Sequence, residues 1–150
     1  MAEGFVYTDF ISGARQIMMD KGIGSAQWIN DYVGIPYEVG GRSTDGIDCY
    51  GLVCKVYEEV LGVTLPDWVL DDEIDFDSQR GCWSSVDQPF DFCILRNTRT
   101  GGAPDHFAIY VAGGVLSAGA GGSFYTTLSN YLSKNNNASY GVYDISGDLH

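Results

Sequence analysis

Two side chains in this sequence could together form a nucleophile and its base. The first is Cys49, which follows a glycine-rich stretch and begins a segment whose apolar residues recur at helical spacing. A helix N-terminus offers unpaired amide donors and the positive end of the helix dipole, and both stabilise a thiolate. This position favours covalent catalysis by Cys49, although a cysteine near a helix start is more often inert.

The second side chain is His106, the residue that would act as the base. The chain has two histidines, and the other, His150, is the final residue, where disorder is expected. His106 opens a predicted strand, so its ring can project at the end of a sheet. On the residues alone, an ordinary surface or packed histidine is the favoured interpretation, and the base remains the alternative.

The other three cysteines, Cys54, Cys82 and Cys93, are interpreted as small core or surface residues. Because the four cysteines form no Cys-x-x-Cys pair, their spacing predicts neither a zinc knuckle nor a thioredoxin-type motif. We expect no metal and no cofactor. The run at 119–123 lacks the Gly-Lys-Ser/Thr of a phosphate loop and is interpreted as a flexible edge of the cleft.

Helical patterns fill the first half of the chain and strand patterns the second. Helices are predicted at 8–21, in a short segment capped by Ser25, and at 48–61 with Gly62 as the terminal glycine. Strands are predicted at 92–95, 106–112, 115–118 and 139–145, with Gly113-Gly114 as a hairpin turn. This order predicts an α+β fold with N-terminal helices packed on an antiparallel sheet. A length of 150 residues fits a single domain, 1–150.

The charge of the chain excludes some partners. Its formal net charge is −12, with 8 Lys and Arg against 20 Asp and Glu. We therefore expect no nucleic-acid partner and no membrane insertion. Six acids lie between Asp67 and Asp77, which indicates a solvated surface loop or a collar for a cationic group. The N-terminus has no pattern of a secretory signal peptide.

Several motifs, in matching order and separation over roughly residues 25–118, resemble the NlpC/P60 family of cell-wall endopeptidases. The phage-associated variant is the most similar, because an aromatic residue, Tyr50, follows the cysteine and the helix ends in Leu-Gly-x-x-Leu-Pro. The motifs are Gly34-Ile-Pro-Tyr37, Gly40-Gly-Arg42, Gly46-Ile-Asp-Cys-x-Gly-Leu-Val53, Leu61-Gly-Val-Thr-Leu-Pro66, Phe90-Asp-Phe-Cys-Ile-Leu95 and His106-Phe-Ala-Ile-Tyr-Val111.

This resemblance implies a papain-like fold and a role for each residue that matches by position. Cys49 would attack an amide, and His106 would take its proton and return it to the leaving amine. Tyr37 matches a tyrosine that lies beside the cysteine and helps to bind substrate or oxyanion. Asp48 and Tyr50 flank the nucleophile and are grouped with these residues, although Asp48 is expected mainly to cap the helix. The backbone amide of Cys49 would be a further oxyanion donor.

The family orients its histidine with a third polar residue on the next strand, and the matching position is Ser117. Serine can accept from an imidazole N–H but orients it less firmly than a carboxamide. With a strict Gly113-Gly114 turn, Ser117 would oppose Tyr110 and lie ~13 Å along the strand from His106. Ser117 therefore requires a bulge or a strong curl, or else Ser123 or a backbone carbonyl takes its place.

The resemblance implies hydrolysis of peptidoglycan stem peptides, by the family's usual preference between D-glutamate and the following diamino acid. It suggests a phage tail-tip component that is made in the host cytoplasm, carried in the virion and bound to other tail-tip proteins. Three alternatives stay open: an inactive structural protein of the tail with the same fold, an acyltransferase or amidase that acts on a small molecule, and a module that binds wall fragments.

Overall fold

The first helices precede the strands of a six-stranded sheet, and one further helix lies between its last two strands in chain order. The computed structural model describes residues 13–22, 26–65, 83–98, 106–134 and 139–145. The helices are α1 (Gly13–Asp20), a 3₁₀ helix (Gln27–Tyr32), α2 (Cys49–Val56), which continues as a π-helical turn (Tyr57–Leu61), and α3 (Leu128–Lys134). The strands are β1 (Arg42–Ser43), β2 (Gly46–Ile47), β3 (Trp83–Ser85), β4 (Cys93–Thr98), β5 (His106–Val111), β6 (Gly114–Gly119), β7 (Gly122–Thr127) and β8 (Ser139–Ile145).

The large sheet is antiparallel throughout and has the strand order β3-β8-β4-β5-β6-β7. Strands β1 and β2 form a separate two-stranded hairpin just before α2. This arrangement confirms the predicted α+β class and the predicted packing of N-terminal helices on an antiparallel sheet.

Helix α2 has sequence signals at both of its ends. Asp48 caps the N-terminus by accepting a hydrogen bond from the amide of Gly51, and Gly62 ends the π-helical turn in the left-handed region at φ 75°. Between them, Leu52, Val53, Val56 and Tyr57 are fully buried. Burial of this face holds the start of the helix in a fixed position against the sheet.

Successive residues of each strand face opposite sides of the sheet, and each side has its own apolar core. On one side, α1, the 3₁₀ helix and α2 pack on strand residues such as Phe107, Ile109 and Leu116. On the other side, Tyr131 of α3 packs with Leu95 and Ala108. Elements on both sides therefore fix β5, the strand that begins with His106.

Several predicted elements need correction. The short helix after Ser25 is a 3₁₀ helix, and the sequence patterns missed β1, β2, β3, β7 and α3. The predicted start of the first helix at Thr8, the acidic stretch 67–77 and Cys82 lie outside the described residues. Within the described ranges, no helix is long and apolar enough to cross a membrane.

Candidate active site

Cys49 is the first residue of α2, as predicted, and another part of the backbone closely approaches this helix start at Gly51. The residue is 5% exposed and belongs to the core between α2 and the sheet. A Cβ on Gly51 would lie 2.3 Å from the carbonyl oxygen of Gly41. The approaching group is the chain that leads into the β1–β2 hairpin.

The carboxylate of Asp48 fixes that chain to the helix start. Its Oδ1 accepts hydrogen bonds from the amide of Gly51 at 2.7 Å and from Nη1 of Arg42 at 2.8 Å. Its Oδ2 accepts from the amide of Gly40 at 2.8 Å. Asp48 is only 3% exposed, so its side chain is a helix cap and a loop anchor. This confirms the capping prediction and removes Asp48 from the substrate-binding residues.

The residues that follow Cys49 and His106 bring helix α2 and strand β5 together. The rings of Tyr50 and Phe107 meet edge to face, with their centroids 5.5 Å apart. Cys49 and His106 therefore lie on two packed elements, each one residue before this contact. Tyr50 is 0% exposed, so its side chain is a core residue and not the substrate contact with which the sequence grouped it.

The turn between β5 and β6 lies one residue earlier than the glycine pair predicts. Its two central residues are Ala112 and Gly113, with φ values of 52° and 79°, as a type I′ turn requires. Val111 consequently pairs with Gly114. Moving the turn by one residue shifts the pairing of β6 against β5 by two residues.

This shift places Ser117 beside His106 without a bulge. Ser117 pairs with Ala108, two residues from His106 and on the same face of the sheet, instead of with Tyr110. Its Oγ is 2.8 Å from Nε2 of His106, and Ser117 is fully buried. The two residues that the resemblance matched to a catalytic histidine and its orienting partner are thus in hydrogen-bond contact.

A tyrosine and an asparagine behind His106 were not found from the sequence. The ring of Tyr131 is stacked on the imidazole with a centroid distance of 6.2 Å and an interplanar angle of 27°. Its hydroxyl donates to Oδ1 of Asn97 at 2.5 Å, and Asn97 pairs with His106 across the β4–β5 ladder. Tyr131 lies on the unpredicted helix α3, whose apolar residues were too few to show a helical period.

The loop that carries Tyr37 is anchored at both ends. Tyr37 is 40% exposed and forms a bridge with Ile47 immediately before the helix start. Upstream, Ser123 accepts a hydrogen bond from the amide of Ile35 at 2.8 Å and donates to the carbonyl of Tyr32 at 2.6 Å. Ser123 is therefore a loop anchor and not the partner of His106.

The glycine run at 119–123 is a tight hairpin and not the flexible cleft edge that we predicted. Gly119 pairs with Gly122, which leaves Ala120 and Gly121 as a two-residue turn between β6 and β7. The run therefore continues the sheet into its edge strand.

A second polar contact holds the 3₁₀ helix to α2. The hydroxyl of Tyr32 donates to Oε1 of Glu59 at 2.7 Å, and Nζ of Lys55 donates to Oε2 at 2.7 Å. Burial, and then the bond to Glu59, raises the pKa of Tyr32. The hydrogen bond from Lys55 lowers the pKa of Glu59. The segment that contains Tyr37 is therefore attached on both sides of Cys49, to Asp48 just before it and to Glu59 after it.

The other described cysteines differ from Cys49 in position. Cys93 is fully buried, and burial raises the pKa of its thiol to about 12, so this thiol stays protonated and inert. Cys54 is half-buried on α2. Of the residues that the structure describes, no group of three or more His, Cys, Asp or Glu is placed to hold a metal ion.

Comparisons with known proteins agree with this architecture of a helix-start cysteine packed on an antiparallel sheet. The NlpC/P60 family model matches residues 34–139, and the chain belongs to the NlpC/P60 family. A segment of 58 residues is 38% identical to the gamma-DL-glutamyl hydrolase of Bacillus subtilis (strain 168). That segment covers 36% of this chain and 14% of the length of the hydrolase.

A solved structure shows the same fold. The crystal structure of the NlpC/p60 domain of the peptidoglycan hydrolase SagA matches with a TM-score of 0.54 and 23% sequence identity. The match covers 76% of this chain and 91% of that domain. The papain-like NlpC/P60 fold predicted from the motifs is therefore confirmed.

Proposed function

We propose that this chain is a cysteine hydrolase that cleaves an amide bond in peptidoglycan stem peptides, with Cys49 as nucleophile and His106 as general base. The observation that carries the proposal is the pairing of Nε2 of His106 with Ser117, at 2.8 Å, on a strand packed against the helix that Cys49 begins. A cysteine at a helix start and an oriented imidazole on the neighbouring element are the parts that thiol acyl transfer needs.

The reaction uses the imidazole tautomer of His106 that carries its proton on Nε2, the nitrogen in contact with Ser117. When Ser117 Oγ accepts the Nε2–H, the lone pair of the neutral ring lies on Nδ1. Nδ1 of His106 takes the thiol proton of Cys49, and the thiolate attacks the amide carbonyl. The backbone N–H of Cys49, at the helix start, and the hydroxyl of Tyr37 donate to the resulting oxyanion.

The remaining steps regenerate the enzyme. The tetrahedral intermediate collapses, the C–N bond breaks, and the imidazolium of His106 gives its proton to the leaving amine. Water, deprotonated by the same imidazole, then attacks the thioester of Cys49 and releases the acid. The C–S bond that forms in the first half breaks in the second, and the imidazolium returns the proton taken from water to the Cys49 thiolate, so the net reaction adds one water across the amide bond.

The scissile bond that we propose joins D-glutamate to the following diamino acid. The name of the relative from Bacillus subtilis, a gamma-DL-glutamyl hydrolase, supports a glutamyl bond, and the name of the SagA domain supports a peptidoglycan substrate. We place the protein in the phage tail tip, in contact with other tail proteins, because Tyr50 and the Leu61–Pro66 motif resemble the phage-associated variant.

Digestion of purified peptidoglycan tests the proposal. Wild type, Cys49→Ala and Cys54→Ala are incubated with the polymer, and the soluble fragments are identified by mass spectrometry. Cys54 is the matched control because it lies on the same helix and is partly accessible. We expect stem-peptide fragments with a new diamino-acid amine from wild type and Cys54→Ala, and none from Cys49→Ala.

A structural role in the tail, with the fold kept and the activity lost, is the second candidate. The hydroxyl of Ser117, a weaker orienting group than a carboxamide, favours it. If no variant releases fragments, and tails assembled with wild type also fail to cut the wall, the structural role is correct. If assembled tails cut the wall with wild type and not with Cys49→Ala, the hydrolase belongs to the tail tip.

A further inference from the structure

The imidazole of His106 is in contact with a second aromatic element that the reaction above does not use. Tyr131, the buried residue of α3, stacks on it with a centroid distance of 6.2 Å and an angle of 27°. This distance falls in the range of favourable offset stacking between aromatic rings. The phenol ring of α3 thereby contacts the imidazole in an offset arrangement.

Ser117 alone leaves the orientation of that imidazole weakly defined. A serine hydroxyl rotates freely and offers one contact, to Nε2. The χ2 torsion of histidine is broad and close to two-fold, so a single hydrogen bond restrains a ring atom without fixing the ring plane. A general base must be held within a fraction of an ångström of the proton that it takes.

Tyr131 is itself held in place by a neighbour of His106. Its hydroxyl donates to Oδ1 of Asn97 at 2.5 Å, and both Tyr131 and Asn97 are almost fully buried, at 2% and 1% exposed. Asn97 lies directly opposite His106 on β4. The phenol hydroxyl is therefore tied to the same pair of strands that carries the histidine, and the ring around it is enclosed by the core.

We propose that Tyr131, fixed by its hydrogen bond to Asn97, is a positioning residue that holds the imidazole plane of His106 and compensates for the weak orienting contact of Ser117. This inference rests on the proposed function, because it assumes that His106 acts as the base of Cys49. It assigns a role to α3, the helix on the far side of the sheet from the nucleophile.

Three variants test the proposal. Tyr131→Leu removes the ring, Tyr131→Phe keeps the ring and removes the bond to Asn97, and Tyr57→Leu is the matched control. Tyr57 is also a fully buried tyrosine whose hydroxyl donates to a buried group, the carbonyl of Phe92. It belongs to the apolar core on the α2 side of the sheet and not to the core that contains Tyr131. All three variants are first checked for cooperative unfolding.

The expected kcat values distinguish a positioning role of Tyr131 from a general destabilisation of the fold. For stem-peptide cleavage, Tyr131→Leu lowers kcat about tenfold or more with KM within about twofold, because a misplaced base affects the chemical step. Tyr131→Phe lowers kcat less, by about threefold, and Tyr57→Leu leaves it within about twofold. Equal losses in Tyr131→Leu and Tyr57→Leu would overturn the proposal, as would an unchanged Tyr131→Leu.

A measurement without substrate distinguishes this proposal from the function on which it rests. The rate of Cys49 alkylation by iodoacetamide at pH 7, followed by mass spectrometry of the Cys49 peptide, reports the thiolate that the imidazole generates. We expect Tyr131→Leu to lower this rate about tenfold and Tyr57→Leu to leave it unchanged. If wild type fails to cut peptidoglycan but shows this pattern, the positioning role stands and the hydrolase proposal fails. If wild type cuts peptidoglycan and the alkylation rate is the same with and without the Tyr131 ring, only the positioning role fails.

Discussion

Replacement of Asp48 by alanine should lower the free energy of unfolding by about 3 kcal/mol. The side chain caps α2 through Gly51, and loss of an N-cap typically costs about 1 kcal/mol. It also accepts from Gly40 and from Arg42, and a hydrogen bond to a charged group contributes about 1.5–3 kcal/mol. The Arg42 side chain is 23% exposed and regains water when its partner is removed, so the full sum is not reached.

Two matched variants separate the causes of this loss. Asp48→Asn keeps the shape and one acceptor oxygen, so it should cost about 1–2 kcal/mol, chiefly through the lost charge. Asp45→Ala changes an exposed acid in the adjacent β1–β2 turn and should stay within about 0.5 kcal/mol of wild type. The loss of unfolding free energy should decrease in the order Asp48→Ala, Asp48→Asn, Asp45→Ala, as expected for a buried carboxylate that anchors the loop.

Urea denaturation at pH 7, followed by tryptophan fluorescence and circular dichroism, measures these differences. The slope of free energy against urea should be equal in all four proteins, so that the midpoints report stability alone. A loss below about 1 kcal/mol for Asp48→Ala would refute the reasoning, because it would mean that the loop and the helix start hold their positions without the carboxylate.

Three further predictions concern the site and its turn. Ser117→Ala removes the partner of Nε2 of His106 and should lower kcat on stem peptides about tenfold with little change in KM. Ser117→Asn is the comparison, because it restores an acceptor. Equal kcat in wild type and Ser117→Ala would contradict the orienting role of Ser117. The pKa of Cys93, about 12 when folded, lies above its ordinary value of 9.0. The thiol of Cys93 therefore keeps its proton to a higher pH in the folded state than in the unfolded state. The free energy of unfolding is unaffected by this group below pH 9 and falls as the pH rises towards 12, by at most about 1.4 kcal/mol per pH unit. Urea midpoints of wild type and Cys93→Ala should converge over that range, and parallel curves would contradict the assignment. Ala112→Asn places a residue that tolerates positive φ before Gly113 and should raise the unfolding free energy by about 0.5–1 kcal/mol in the same assay; a loss of stability would show that the φ of Ala112 carries no strain.

The register of β5 and β6 shows why the partner of His106 could be named but not placed from the sequence. Adjacent glycines indicate a two-residue turn, and Gly113-Gly114 is such a pair. In the structure, Gly114 is a strand residue, because a Cβ there would lie 2.6 Å from the ring of Tyr125. This glycine is needed for close packing against β7, a strand that the sequence patterns missed.

Ala112 occupies the turn in its place because distant residues hold it there. Its amide donates to Oδ1 of Asp91 at 2.9 Å, and its carbonyl accepts from the hydroxyl of Tyr125, also at 2.9 Å. Asp91 and Tyr125 lie 21 and 13 residues away in the chain. Such contacts offset the cost of positive φ at an alanine, and no local pattern contains them.

The parts of the candidate site that the sequence could place are those with local causes, and the parts it could not place depend on distant residues. Cys49 and its cap Asp48 are placed by local signals, a helix period and a capping side chain, and the structure has both where they were predicted. His106 is a strand start that local alternation also identifies. The surroundings of its ring depend on Ser117, Tyr131 and Asn97, which come from three other elements and meet only through the register of the sheet. Local signals in the sequence therefore place Cys49 and His106 on their elements, whereas the groups that contact the His106 ring follow from tertiary pairing. A variant at Ser117 tests that part of the site, since its effect on kcat depends on the observed register of β5 and β6 and would vanish with the predicted one.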